Sequence, residues 1–398
     1  MASSSNMPPR GGTMHRAGPP VNWADDWTVA EEELEDVSLP ARLERLKPRL
    51  QRILDLTKTP GCSIGVFHQG ENVWKANFGL RDQALGLPVQ SGTVFPLHEL
   101  TKAITAAAFA SLVTDGMVTW ETPVKTILPE LLDDRVTPLE LLSMRSGCSP
   151  ANSLGWQGPT MLLRKEDTVA LWNALPRDNM RPFMYNSWGY GLVALLIEEL
   201  TGQRLSQVFK DRIFDPLQLS NTKIKDSFYG PNNAVPYMDA YELPSAGVRE
   251  GCFLEGACGI VSTIDDMLCL YRAYLAALSH QFASGSTTTP GNPFTYCQTI
   301  FRGHSPLYPP DPDFDDLLME QAYGCGWVRS QLPGRLGAIG MNATHIRMPK
   351  LLENGVPRLC LYHQGARPGS VANIALFPHT QTVVAAVANS AHMGDAAD

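Results

Sequence analysis

Apolar residues at three- and four-residue spacing mark helices through the middle of this chain. Short alternating or continuous apolar runs mark strands near its two ends. Within residues 36–56, Leu39, Leu43, Leu46, Leu50, Ile53 and Leu54 recur at helical spacing and predict one amphipathic helix. Residues 62–68 and 72–78, joined by Gln69 and Gly70, predict a β-hairpin. Residues 101–114, TKAITAAAFASLVT, are small and apolar almost throughout, which predicts a helix buried on most sides and ended by Gly116. Thr137 with Glu140 three residues on forms a capping-box pattern for a helix over 137–143, and Thr263 with Asp266 caps another through residue 278. Further helices are predicted over 167–175, 188–201 and 205–213, and strands over 324–329, 344–348, 359–362 with 371–377, and 382–387.

Strands at both ends with helices between them predict an α+β fold. An antiparallel sheet built from both termini is flanked by helices and carries an inserted, mostly helical region. The expected boundaries are a disordered leader at 1–35, a sheet domain from 36–95 and 320–392, and a helical region with pocket loops at 96–319. Residues 280–318 lack periodicity and are dense in Pro, Gly, Ser, Thr and Asp, so they are expected to form a lid or mobile insertion.

Composition narrows the class. A chain of 398 residues, 44% hydrophobic and 18% charged, describes a well-packed globular protein. Its net charge of −8, with no basic stripe, argues against a nucleic-acid partner. No apolar run approaches the roughly 20 residues that span a bilayer, and the first 20 residues lack the apolar core of a signal peptide. The expectation is a cytoplasmic protein with no membrane partner, whose eight cysteines, none in a C-x-x-C pair, stay reduced. Nothing in the sequence fixes an oligomeric state.

Three segments concentrate the chemistry: FPLHELTK at 95–102, FMYNSWGY at 183–190, and HQG at 363–365 followed by Arg367-Pro-Gly369. Supporting them in order are LLSMRSG at 141–147, GIVST at 259–263 and YGCGW at 323–327. Together they resemble the serine β-lactamase and penicillin-binding protein superfamily, in particular class C β-lactamase-like esterases and fungal transesterases of the lovastatin acyltransferase kind. The resemblance runs from about residue 40 to about residue 390. It implies a β-lactamase/transpeptidase-like fold, a serine that opens an S-x-x-K motif, a lysine that activates it, a proton-shuttling tyrosine and a backbone oxyanion hole.

Lys102 and Tyr185 fall on the lysine and tyrosine of that pattern, but Glu99 stands where the nucleophilic serine belongs. Ser187 replaces the usual Asn of the tyrosine loop, and Met144-Arg145 replaces the usual residues before Ser146-Gly147. A hydroxyl becomes a nucleophile only when a neighbouring base takes its proton. A carboxylate beside an ammonium instead stays ionised and keeps the lysine protonated. Glu99 is therefore the candidate base, Lys102 the electrostatic stabiliser, Tyr185 the acid, and His363 a fourth catalytic candidate that orients the substrate with Ser187. Trp156, Trp188, Trp327, Gly365 and Arg367 complete the candidate binding residues. The plain alternatives are an ion pair at a helix start for Glu99 and Lys102, a satisfied core histidine for His363, a solvated loop arginine for Arg367, and core packing for the tryptophans. Ser220-Asn-Thr-Lys223 satisfies S-x-x-K only in letters, and His98-Glu99 lacks the second histidine of a zinc helix, so no metal and no cofactor are expected. The expected function is non-hydrolytic acid–base catalysis (isomerisation, elimination or cyclisation) on a small apolar secondary metabolite. The alternatives are an acyltransferase or esterase with another nucleophile, and a non-catalytic ligand-binding scaffold.

Overall fold

A computed structural model describes residues 37–150, 163–224, 230–238, 241–243, 248–307, 320–340, 342, 348–352 and 355–391. It divides into two units, Met1–Arg45 and Leu46–Asp398. In the first, the described helix is Leu39–Glu44. In the second, helix α1 spans Lys47–Leu56 with Pro48 in its first turn. The single helix expected over 36–56 is thus two, because proline has no N–H to give and its ring collides with the carbonyl four residues earlier.

The second unit is built on a nine-stranded sheet. Its strands are β1 (Gly61–His68), β2 (Glu71–Asp82), β3 (Leu87–Pro88), β4 (Ser305–Pro306), β5 (Gln321–Tyr323), β6 (Val328–Leu332), β7 (Arg358–Arg367), β8 (Ser370–Phe377) and β9 (Thr382–Ala388). The order is β3-β2-β1-β9-β8-β7-β6-β5-β4, with each neighbouring pair antiparallel. β1 lies beside β9 with Cys62 opposite Ala388, so segments far apart in sequence close the middle of the sheet. The helices α2 (Thr101–Thr114), α3 (Ser187–Thr201) and α4 (Ile264–Ser284) carry the intervening region. α4 lies hard against β1: a Cβ on Gly65 would come within 2.8 Å of Leu268 Cδ1.

Helix starts follow their cap chemistry. Thr137 and Glu140 form the expected capping box on Pro138–Leu142, and Thr263 Oγ1 accepts from Asp266 N–H at the start of α4. Asn186 caps α3 by accepting from Trp188 N–H at 2.9 Å. α4 runs six residues past its expected end, to a left-handed Gly285. The helix expected over 205–213 is Leu205–Phe209 followed by a wider π turn, Lys210–Phe214.

Two further expectations are corrected. The span 280–318 does not behave as a lid over its described part: Phe294, Cys297, Ile300 and Phe301 are core residues. Buried Gln281 substitutes for regular structure there, donating to Phe294 O at 2.8 Å and accepting from Cys297 N–H at 2.8 Å. Of the strand expected over 324–329, residues 324–327 are a turn between β5 and β6, and Val328 and Arg329 open β6. Residues 308–319, and all but Met348 of the strand expected over 344–348, lie outside the described residues.

α2 is buried as its composition predicts. Its polar groups other than the Lys102 ammonium nitrogen are tied off: Thr105 Oγ1 donates to Gly256 O at 2.6 Å, Thr101 Oγ1 accepts from Ile260 N–H at 3.1 Å, and Tyr274 Oη donates to Ala103 O at 2.6 Å. The β5–β6 turn touches the foot of this helix through Gly326. That residue has φ +77°, and a Cβ there would lie 2.7 Å from Ala103 N and Lys102 C. Gly326→Ala should therefore lower the unfolding free energy by about 1–3 kcal/mol, read from urea midpoints, because it combines a strained φ with an overpacked contact. An unchanged midpoint would show that the turn does not brace the helix.

Candidate active site

The site forms where the one-turn helix His98–Leu100, leading into α2, meets the end of β7. The strand Phe95–Pro96 pairs with Ile260–Ser262, and Leu97 N–H donates to Ile260 O at 2.9 Å, which sets residues 255–260 beside the turn. His98 is buried with φ +47°, and its Nε2 shares a 2.7 Å hydrogen bond with Ser370 Oγ on β8. A non-glycine residue held in the left-handed region costs energy. Here it aims the next side chain, Glu99, at β7.

Glu99 is half-buried. Its Oε2 accepts from Ala366 N–H at 3.0 Å and its Oε1 accepts from the Cys258 thiol at 3.3 Å. Gly365 permits this approach, since a Cβ on it would fall 2.5 Å from Leu97 O and 3.0 Å from Glu99 N. Burial works to raise the Glu99 pKa. The charges of Lys102, His98 and Arg367, with Glu99's own N–H, outweigh it and hold the carboxyl below its ordinary value.

Lys102 is fully buried, and its Nζ has no hydrogen-bond partner among the described residues. It lies 4.9 Å from the Tyr185 ring centroid and 5.6 Å from that of Tyr190. Burial lowers its pKa, against the pull of Cys258 and Glu99. The direct ion pair considered from sequence is therefore not formed: Glu99 and Lys102 attract without touching.

Tyr185 is half-buried and sets its ring edge against Tyr323, with centroids 6.1 Å apart and planes at 87°. Burial, followed by the neighbouring Tyr323 and Glu99, raises its pKa well above the ordinary phenol value, so the hydroxyl stays protonated. His363, wholly buried on β7, has both ring nitrogens engaged, with Nδ1 2.7 Å from Gln364 O and Nε2 3.0 Å from Tyr323 Oη. A carbonyl only accepts, so Nδ1 carries the proton and Nε2 accepts from the tyrosine. Burial first, then Lys102, pushes its pKa down to about 3.

The structure brings Glu99, Lys102, Tyr185, His363, Gly365 and Arg367 to one place, with Ser187 at the adjoining start of α3. Trp188 and Trp327 are instead packed in the core, Trp188 4.4 Å from Phe253 and Trp327 among Tyr271, Tyr274 and Phe301. Trp156 lies outside the described residues. Three contributors carry little sequence signal: the Ala366 amide, the His98–Ser370 bond and Cys258. Burial and then Glu99's charge push the Cys258 thiol up to about 12. Its one sequence cue is the run Gly256-Ala257-Cys258-Gly259, where a Cβ on Gly256 would meet Tyr190 O and Ala194 Cβ at 2.8 Å. Among the described residues no group of three or more His, Cys, Asp or Glu is placed to hold a metal ion. No helix among them is long and apolar enough to cross a membrane.

The antiparallel sheet closed by both ends of the chain, with a lysine helix docked on its histidine strand, defines a β-lactamase-type fold. The chain belongs to the Beta-lactamase family, whose family model matches residues 47–398. It is 28% identical over 375 residues to the unguisins hydrolase ungD of Aspergillus violaceofuscus, covering 85% of this chain and 60% of that one. It is 24% identical over 242 residues to a D-aminopeptidase of Cereibacter sphaeroides, covering 59% of this chain and 46% of that one. The chain thus spans about half the length of these relatives. A class C β-lactamase structure from Rhodobacter sphaeroides superposes with a TM-score of 0.67 at 18% identity, over 86% of this chain and 93% of the other.

The His363 environment gives a direct test. With its pKa lowered, the ring stays neutral at every pH above that value and gains charge only below it. NMR of the His363 ring should show no titration between about pH 5 and about pH 8. A shift within that window would mean the ring is open to water.

Proposed function

We propose that this β-lactamase-fold chain is an enzyme that works without a serine acyl-enzyme. Glu99 is the base in non-hydrolytic chemistry (isomerisation, elimination or cyclisation) on a small, apolar secondary metabolite. The observation that carries this reading is the Glu99 carboxyl, three residues before the buried Lys102, with one oxygen fixed by Ala366 N–H. The other oxygen, Oε1, has only a thiol as its hydrogen-bond partner, and a thiol is a weak donor. Oε1 thus keeps the capacity to take a proton from a substrate. As it does so, the Lys102 ammonium stabilises the negative charge left behind, and the protonated Tyr185 returns a proton elsewhere. The kinship with the unguisins hydrolase of Aspergillus violaceofuscus supports an enzymatic role.

On the true substrate, Glu99→Gln and Tyr185→Phe should each lower kcat by about 10²–10⁴-fold, the usual worth of a positioned base or acid. Unchanged rates in both would sink these roles. Intact-protein mass after exposure to activated esters, acyl thioesters and a β-lactam tests the same reading without a known substrate. Wild type should carry no adduct, and Glu99→Ser should acylate.

A second reading, acyl transfer through another nucleophile, draws on the Cys258 thiol 3.3 Å from Glu99 and on the hydrolases among the relatives. The raised thiol pKa weighs against a standing thiolate. An adduct on wild type that disappears in Cys258→Ala would establish this reading and displace the first.

A further inference from the structure

Several groups turned toward Glu99 are those that receive an anion. Ala366 N–H donates to Oε2 at 3.0 Å, and the Glu99 N–H lies next to Gly365, where a Cβ would fall 3.0 Å from its nitrogen. Lys102 Nζ, buried and without a hydrogen-bond partner among the described residues, attracts the Glu99 carboxylate. Gly365 is the residue whose missing side chain lets the two amides come together.

We propose that these groups form a built carboxylate-binding site that the protein fills with its own Glu99, and that this internal occupant closes the site to free carboxylates and to acyl oxygens. The proposal rests on the part of the preceding reading that places an ionised Glu99 here, and not on its acting as a base. Hydrogen bonds from backbone N–H to a charged oxygen are about twice as strong as neutral ones. A tethered side chain also competes at an effective concentration in the millimolar range or above, so a dilute free anion does not displace it. The consequence is a substrate class. A molecule that uses this site meets Glu99 Oε1, and so offers it a proton donor or an acidic C–H. An ester or a carboxylate has no free amide pair to bind.

Removing the Glu99 side chain should empty the site and leave its donors in place. In Glu99→Ala, sodium acetate and sodium formate should raise the melting temperature saturably, while sodium chloride at equal ionic strength should not. The Ala366 amide resonance should move with acetate in that variant and stay still in wild type. Adding Lys102→Met should weaken acetate binding by about tenfold or more, the worth of one charged partner. Equal responses in wild type and Glu99→Ala, or an unmoved Ala366 amide in Glu99→Ala, would overturn the proposal. If Glu99→Ala does not fold, Glu99→Gln keeps the shape and removes the charge. The Ala366 amide proton should then shift upfield relative to wild type, and an unchanged position would overturn the proposal. Failure here is distinct from failure of the acid–base reading, which is judged by the turnover of Glu99→Gln and Tyr185→Phe on substrate.

Discussion

A lysine buried at the foot of an apolar helix is the constraint around which this site is arranged. Charges taken from water are expensive unless paired and hydrogen-bonded. The other polar side chains of α2 have partners, Thr101 with Ile260 and Thr105 with Gly256 among them, and the Ala103 carbonyl meets Tyr274. Lys102 has none among the described residues and relies on two aromatic faces and on charges it does not touch. Its neighbours feel that charge: it is the first of those that hold the Glu99 carboxyl below its ordinary value, and it adds to the burial that lowers the pKa of His363.

On the proposed reading, a carboxylate at residue 99, where the resemblance places a serine, changes the electrical logic of such a site. A serine beside a lysine needs the lysine to lose its proton. A glutamate beside a lysine favours keeping it, although burial pulls the other way. The carboxylate also reaches farther than a hydroxyl. It extends onto the amide of Ala366, guided by the left-handed His98 and admitted by Gly365. The position is therefore held by backbone geometry as well as by charge, and a larger residue at 365 would disturb both.

Much of the fold was legible because local chemistry and global architecture agree. The capping boxes at Thr137 and Thr263 mark real helix starts, and the all-round apolar run over 101–114 is a helix with those bounds. The strands pair in the antiparallel sheet expected from both ends of the chain. Sequence reading failed where a contact is non-local or belongs to the backbone. Nothing in the letters says that the amide of Ala366 will meet a carboxylate 267 residues away, or that Cys258 will lie beside it. Trp188 and Trp327 sit in motifs, which suggested a pocket, but their size made them core. Between Ser284 and Cys297 the chain follows neither helix nor strand, and the Gln281 side chain binds its backbone at Phe294 and Cys297 instead.

Charge balance then limits what chemistry the proposed site can favour. At rest, Glu99 and Lys102 in their charged forms cancel, which suits a neutral and fairly apolar ligand. When Glu99 takes a proton from that ligand, the pair becomes positive at the moment the ligand becomes negative. The buried ammonium then has the partner it lacked, in surroundings where an electrostatic attraction is worth more than in water. Acyl transfer would ask for the reverse. An oxyanion would have to form against amides already bound to a carboxylate, and like charges would share one site. On the proposed reading, the substitution at residue 99 redirects the same lysine and the same amides from stabilising an oxyanion to supporting a base.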